Sequence, residues 1–308
     1  MHAWRFQSGK DLTWQAVQDP KAGPGEVVIE VAAAGMCHTD VSHIESGGAH
    51  LPQQPFTLGH EVAGRICEVG PDVREWHVGD RVAVLASTSG PGSARDGGYA
   101  ERVLALVDEL VAIPPNVSDI DAAVATDAGV TAYRAVLTKG EVESGTRVGI
   151  IGLGGLGILG ARIAVVTGAE VFAADPRTAP HKIALEQGIT ECSTSIVDFS
   201  DRDLDVVIDF AGMDTTRDAI KAVRPGGRVV QVGIGKFEAT LDLFDVLIKQ
   251  PEYTGTATGT IDDLNGVLDM VAGGYLHPVI EEIGFGEIPA GLKRLAAGEV
   301  TGRLVATR

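Results

Sequence analysis

Short apolar runs punctuated by glycine and proline fill the first third of the chain. The stretches "EVVIEVAAAG" (26–35), "EVAGRICEVG" (61–70), "GDRVAVLA" (79–86) and "YAERVLALVDELVAI" (99–113) each gather β-branched residues between turn signals. That spacing predicts a β-rich, barrel-like first domain, with "GPGSARDGG" (90–98) as a flexible loop between strands. From residue 121 the pattern changes to a helix, then to "TRVGIIG" (146–152, strand), "LGILGARIAVVTG" (156–168, helix) and "AEVFAAD" (169–175, strand). There follow "LDVVIDFAG" (204–212, strand), "TTRDAIKAV" (215–223, helix) and "GRVVQVG" (227–233, strand). These strands are nearly continuous apolar runs, as expected of a parallel sheet covered on both faces. The reading is α/β, with a doubly wound nucleotide-binding half. After about residue 258 the elements mix again: helices at 261–274 and 288–298, then a final strand at 302–308.

Composition narrows the class. The chain has 308 residues, 44% of them hydrophobic, so it is long enough for two cores. Forty glycines against 5% aromatic residues suit tight strand-to-helix turns better than a helical bundle. Twenty-five basic and 42 acidic side chains leave a net charge of -17, which argues against nucleic acid and anionic membranes as partners. No apolar run approaches the roughly 18 residues of a spanning helix, and the start shows no secretory pattern. Three cysteines, at 37, 67 and 192, form no paired framework, and a reducing, cytoplasmic setting is expected.

Two stretches carry candidate chemistry. Gly152, Gly154 and Gly157 form G-x-G-x-x-G after a predicted strand and at the start of a predicted helix. The first glycine permits the turn, the second lets backbone approach a pyrophosphate, and the third lets helix and strand pack; the helix terminus offers free N–H groups. Gly155 and Leu156 lie inside the loop. Asp175, eighteen residues past Gly157, ends the next strand, where a carboxylate accepts the adenosine ribose hydroxyls and repels a 2'-phosphate. That favours NAD over NADP, although Arg177 could meet a phosphate. The second stretch is "GMCHTD" (35–40), with "TLGHEVAG" (57–64) placing His60 and Glu61 further on. Thiol, imidazole and acid suit zinc, but the spacing exceeds any local finger, and spacing alone favours an ordinary half-buried thiol and histidine. Cys67 and Cys192 read as packing residues.

The order "GMCHTD", "LGHEVAG", "VGDRV", "GGYAE", "DAGVTAYRAV", "GLGGLG", "GRLV" resembles, over essentially the whole chain, the zinc-dependent alcohol dehydrogenases of the medium-chain dehydrogenase/reductase family. The resemblance implies a GroES-like barrel domain (1–128 and 258–308) and a Rossmann domain (129–257). It implies one catalytic zinc held by Cys37, His60 and Asp127, with Glu61 a possible fourth or exchanging ligand. Asp127 stands where the family often has cysteine, and a turn acid is its other reading. Thr39 matches the hydroxyl that relays the substrate proton, or else caps a helix. Relatives often continue the relay with histidine where this chain has Ser42, with His43 one place later. Asp40 would orient His60 or lie at the surface; His38 and Arg303 would approach the pyrophosphate, unless Arg303 is exposed, and Thr131 the nicotinamide.

The four cysteines that many relatives carry for a structural zinc are missing from "AVLASTSGPGSARD" (83–96). Gly48, Leu85 and Ala86 replace bulky aromatics at matching positions and imply a roomier pocket. The implied activity is reversible hydride transfer between NAD and a bulky or secondary alcohol. The alternatives are a zinc-free quinone or enoyl reductase of the same superfamily and a non-catalytic dinucleotide-binding protein. The family's habit of joining sheet edges implies a homodimer, or a homotetramer, with "PEYTGTATG" (251–259) as the edge.

Overall fold

A computed structural model describes residues 1–9 and 11–308. It divides into two compact units, Met1–Asp127 with Thr260–Arg308, and Ala128–Gly259. The first opens with β1 (His2–Arg5), β2 (Thr13–Ala16), β3 (Glu26–Met36), α1 (His38–Glu45), β4 (Glu61–Val69), β5 (Arg81–Val84), β6 (Arg102–Leu106), β7 (Leu110–Ala112) and α2 (Asp119–Val124). The second holds α3 (Val130–Tyr133), β8 (Arg147–Ile151), α4 (Gly155–Thr167), β9 (Glu170–Ala174), α5 (Ala179–Glu186), β10 (Glu191–Ser193), β11 (Leu204–Asp209), α6 (Thr216–Ala222), β12 (Val223–Gln231), α7 (Leu243–Lys249) and β13 (Glu252–Gly255). The chain then returns to the first unit with α8 (Ile261–Ala272), β14 (Ile280–Gly284), α9 (Ile288–Ala296) and β15 (Arg303–Thr307).

In the first unit β14-β15-β3-β4-β5-β7 form a mixed sheet, with β6 on β3 and a separate β1–β2 hairpin. Strand β3 is the spine, because β15, β4 and β6 all pair with it antiparallel. Its run Val27–Ile29 and its end Ala33–Met36 are almost wholly buried. Each buried Val, Ile or Met side chain among them contributes about 1.5–3 kcal/mol through burial of apolar area. The register that sets Gly35 opposite Glu61 brings the residues just past β3 beside those just before β4.

Two sequence expectations change here. The run 99–113 is broken by a 3₁₀ turn, Val107–Glu109, so that β6 joins β3 while β7 joins β5. Loop 90–98, expected to be flexible, is tied down: Arg95 places both carboxylate oxygens of Glu109 at 2.7 and 2.6 Å from its Nη2 and donates through Nη1 to Ser89 O. Composition registers the glycines of this loop, not a partner fourteen residues away.

The second unit is an all-parallel sheet in the order β10-β9-β8-β11-β12-β13. Its strands β8, β9 and β11 are buried on both faces, as their unbroken apolar runs require. The order reverses between β8 and β11, and ligands of such sheets bind outside the carboxyl ends of the strands at that point. The glycine loop begins there, directly after β8.

Candidate active site

Cys37 is the residue between β3 and α1, and His60 and Glu61 stand where β4 begins. Asp127 comes from a π-helical turn, Ala125–Gly129, that follows α2. One widened turn re-aims a side chain that a regular helix would carry elsewhere, and such turns gather at functional sites. A ligand atom from each of Cys37, His60, Glu61 and Asp127 lies within 4.8 Å of the others. Among the described residues no other group of three or more metal-type side chains converges in this way. A thiol and two carboxylates so close repel one another once ionised, and a divalent cation relieves that repulsion. Thiolate, imidazole and carboxylate are all zinc ligands, and three of them leave a position open. By this test the residues fit zinc.

Asp40 is fully buried, not at the surface. Its carboxylate accepts from Cys37 N (3.2 Å), Gly59 N (3.2 Å) and Tyr99 Oη (2.8 Å). Burial pushes its pKa up, but His60 and these donors outweigh that and hold it below the usual carboxylate range. Asp40 Oδ1 lies 3.4 Å from His60 Nδ1, and Asp127 Oδ2 lies 3.4 Å from His60 Nε2. Nδ1 has no nearer acceptor. Burial resists charging this ring, yet Asp40, Asp127 and Cys37 together hold its pKa well above the ordinary histidine value. Gly59 has a φ of +94°, which other residues seldom adopt, and a Cβ there would stand 2.5 Å from the Tyr99 ring.

Glu61 and Arg303 form a buried ion pair, so Arg303 is not an exposed terminal arginine. No other donor reaches the two Glu61 oxygens, and no other acceptor reaches Arg303 Nε or Nη2. Gly35 makes this possible, because a Cβ there would collide with the Glu61 carboxylate. Thr39 is exposed, with Oγ1 3.6 Å from Cys37 Sγ, and His38 is exposed at the start of α1. Ser42 is exposed on α1, and His43 is half-buried, its pKa lowered chiefly by burial. The room expected at Gly48 is already taken: a Cβ there would meet Gln54 Nε2 at 2.5 Å and Phe6 Cε1 at 2.8 Å. Leu85 and Ala86 close β5, and Ala86 N donates to Thr126 O beside Asp127.

The second group of candidate residues lies in the second unit. Gly152 turns at φ +87°, Gly154 precedes α4, and Gly155 and Leu156 open that helix. A Cβ on Gly157 would run into Gly152 O, whereas the space around Gly154 is open. Leu153 N donates to Asp175 Oδ2 (2.9 Å), joining the glycine loop to the end of β9. Arg177 grips the same carboxylate through its backbone N, Nε and Nη2. Burial raises the Asp175 pKa, and these donors more than reverse it. The open Gly154, the bare helix terminus and the acid at the strand end suit a dinucleotide. Thr131 is buried on α3.

Sequence reasoning left Tyr99, Gly35 and Gly59 without roles. Their only signal was membership of the short stretches "GGYAE", "GMCHTD" and "LGHE".

Comparison with known proteins agrees in both units. Residues 23–115 match the model of the alcohol dehydrogenase GroES-like domain, and residues 155–273 that of the zinc-binding dehydrogenase domain. An alcohol dehydrogenase of Geobacillus stearothermophilus is 30% identical over 96% of this chain and 95% of its own length. The structure of acetophenone reductase from Geotrichum candidum in complex with NAD superposes with a TM-score of 0.91 at 31% identity, covering 100% of this chain and 97% of that one. A cobalt- and zinc-bound thermostable alcohol dehydrogenase from Pyrobaculum aerophilum gives 0.89 at 25%, covering 100% and 99%.

Proposed function

The chain belongs to the zinc-type medium-chain alcohol dehydrogenases, and within that family we propose that it interconverts bulky or secondary alcohols and their carbonyls at a site of Cys37, His60 and Asp127. It is an NAD-dependent alcohol dehydrogenase with zinc and NAD as cofactors. The observation that supports this site is the convergence of a thiol, an imidazole and carboxylates from three separated points of the chain.

Zinc and NAD, when bound, supply Lewis acidity at the substrate oxygen and the acceptor for hydride. The protein does the rest. Cys37, His60 and Asp127 hold the metal, with Glu61 in reserve against Arg303. Asp40 faces Nδ1 of His60 and keeps the ring turned. Thr39 Oγ1, exposed next to the thiol, takes the substrate's hydroxyl proton and passes it outward. The N–H groups of the glycine loop and α4 receive the pyrophosphate, to which His38 and Arg303 are also assigned. Asp175 receives the ribose, Arg177 flanks it, and Thr131 is assigned to the nicotinamide.

NAD reduction measured over primary, secondary and aromatic alcohols, with zinc assayed on the same protein, tests this reading. Turnover with about one zinc per chain is expected, with kcat/KM larger for secondary or aromatic alcohols than for ethanol. Leu85 and Ala86 carry that expectation, since Gly48 frees no space. Ethanol as the best substrate would overturn the substrate assignment, and no turnover on any alcohol would overturn the activity.

Three unpaired cysteines fit a reducing, cytoplasmic setting. Among the described residues no helix is long and apolar enough to cross a membrane. The homodimer reading gains support from the second unit. Strand β13 ends its sheet, and Leu243, Phe244, Leu247, Ile248 and Tyr253 on α7 and β13 are each more than half exposed. An edge strand beside so large an apolar patch favours a second copy paired edge to edge. The double variant Leu247→Glu/Tyr253→Glu is expected to halve the mass measured by light scattering; a wild-type protein that is monomeric at assay concentration would refute the dimer.

A further inference from the structure

Asp40 holds the imidazole of His60, and the question is what holds Asp40. Its two backbone donors are long, 3.2 Å each, and they pull on different oxygens: Gly59 N on Oδ1 and Cys37 N on Oδ2. The shortest bond comes from the Tyr99 hydroxyl, 2.8 Å from Oδ2. All three bonds end on the charged carboxylate, and charge-assisted bonds are the short ones, so the 2.8 Å O–H···O⁻ bond is the one of the three that most opposes rotation of the carboxylate. The same hydroxyl lies 3.3 Å from Gly35 O, but it has one proton, and the nearer anion takes it.

Tyr99 is in turn fixed by the segment that carries His60. Tyr99 N donates to Leu58 O, Gly98 N to Gly59 O and Gly97 N to Thr57 O, so residues 97–99 run hydrogen-bonded along 57–59. The ring is completely buried against Gly59. The hydroxyl and the His60 backbone therefore cannot shift independently of each other.

We propose that Tyr99 is a positioning residue of the metal centre, its hydroxyl fixing Asp40 and, through Asp40, the orientation of the His60 imidazole. This rests on the reading of Cys37, His60 and Asp127 as a zinc site. Partners one step behind a metal ligand set the orientation of the ligand itself, and their loss typically weakens metal binding by roughly 10–100-fold.

The test is the full-length Tyr99→Phe variant, which removes one oxygen and keeps the ring. Zinc affinity is measured by competition with a chromophoric chelator, and the cobalt(II)-substituted proteins are compared by visible absorption. The expected result is a zinc Kd raised about tenfold or more, an altered cobalt spectrum, and a lowered kcat with the KM for NAD unchanged. Wild-type zinc affinity and cobalt spectrum in the variant would overturn the proposal, whatever happens to its melting temperature. Wild-type protein that binds no zinc would instead overturn the metal-site reading.

Should the variant not fold, wild-type protein labelled with 3-fluorotyrosine gives the answer by ¹⁹F NMR. The Tyr99 resonance is the one best shielded from a paramagnetic probe, since Tyr253 and Tyr275 are more than half exposed and Tyr133 is partly exposed. It is expected to move as zinc is added; a resonance unmoved at stoichiometric zinc would count against the proposal.

Discussion

Replacing Cys37 by alanine, or stripping the metal with a chelator, is expected to lower kcat for alcohol oxidation by at least about a thousandfold while leaving NADH binding intact. A Lewis acid at the reacting oxygen is worth several kcal/mol, and about 4 kcal/mol corresponds to roughly a thousandfold in rate. The cofactor groups follow a different rule. Of the groups proposed for the cofactor, Gly152, Gly154, Gly157 and Asp175 belong to the unit Ala128–Gly259, and only His38 and Arg303 share the unit of Cys37, His60, Glu61 and Asp127, Met1–Asp127 with Thr260–Arg308. NADH fluorescence titration of the variant should therefore give a Kd close to that of the wild type. A zinc-free reductase predicts the opposite pattern, with turnover surviving both treatments, and that outcome would return the chain to the quinone or enoyl reductase reading. Loss of NADH binding together with turnover would show instead that Cys37→Ala damages the fold. Re-addition of zinc to chelated wild-type protein separates these cases, because only loss of the metal is reversed by it.

The glycine loop was legible because everything it needs is local. Strand, turn and helix start fall within twelve residues, and the acid that completes them ends the next strand. The metal site was not legible in the same way. What joins Cys37 to His60 is the β3–β4 register, Gly35 opposite Glu61, and a register is a choice between strands that neither strand's sequence states alone. Only the order of short stretches along the chain gave it away, by likeness to a family. Asp127 depends on a π turn, which has no sequence signature separable from the helix around it. Gly48 shows the same limit from the other side, for its small size left no room once Phe6 and Gln54 folded over it.

Helix α7 is one of the elements, with β1, β2, α5 and β14, that periodicity did not find. None of its residues is fully buried within the chain: Val246 packs partly against the core, while Leu243, Phe244, Leu247 and Ile248 are each more than half exposed. A helix acquires a readable stripe when one face packs on its own core, and α7 sets only Val246 against that core. The tied loop 90–98 and the Tyr99 hydroxyl share one cause. Each is defined by a partner far along the chain, Glu109 for Arg95 and Asp40 for Tyr99. Local pattern thus gave most of the sheet strands and one binding loop, and long-range pairing decided the chemistry.

With Asp175 proposed as the acid that receives the ribose, Asp175→Asn is expected to reduce the preference for NAD over NADP by about two orders of magnitude. In the wild type the carboxylate takes Leu153 N at 2.9 Å while Arg177 forks onto both oxygens at 3.1 Å. Asparagine keeps an oxygen for Leu153 N, so the junction of the glycine loop with β9 is retained. It loses the charge that binds ribose hydroxyls, and a hydrogen bond to a charged group is worth about 1.5–3 kcal/mol, or roughly 10- to 100-fold in kcat/KM with NAD. It also releases the Arg177 guanidinium, whose planar fork suits a 2'-phosphate better than any other side chain here. NADP turnover should therefore rise as NAD turnover falls, with zinc content unchanged. Adding Arg177→Ala should remove the gain with NADP and leave the loss with NAD. Steady-state kinetics with both coenzymes decide the matter: an unchanged NAD-to-NADP ratio in Asp175→Asn would mean that Asp175 serves only to anchor Leu153 and Arg177, and that coenzyme choice is made elsewhere in the unit.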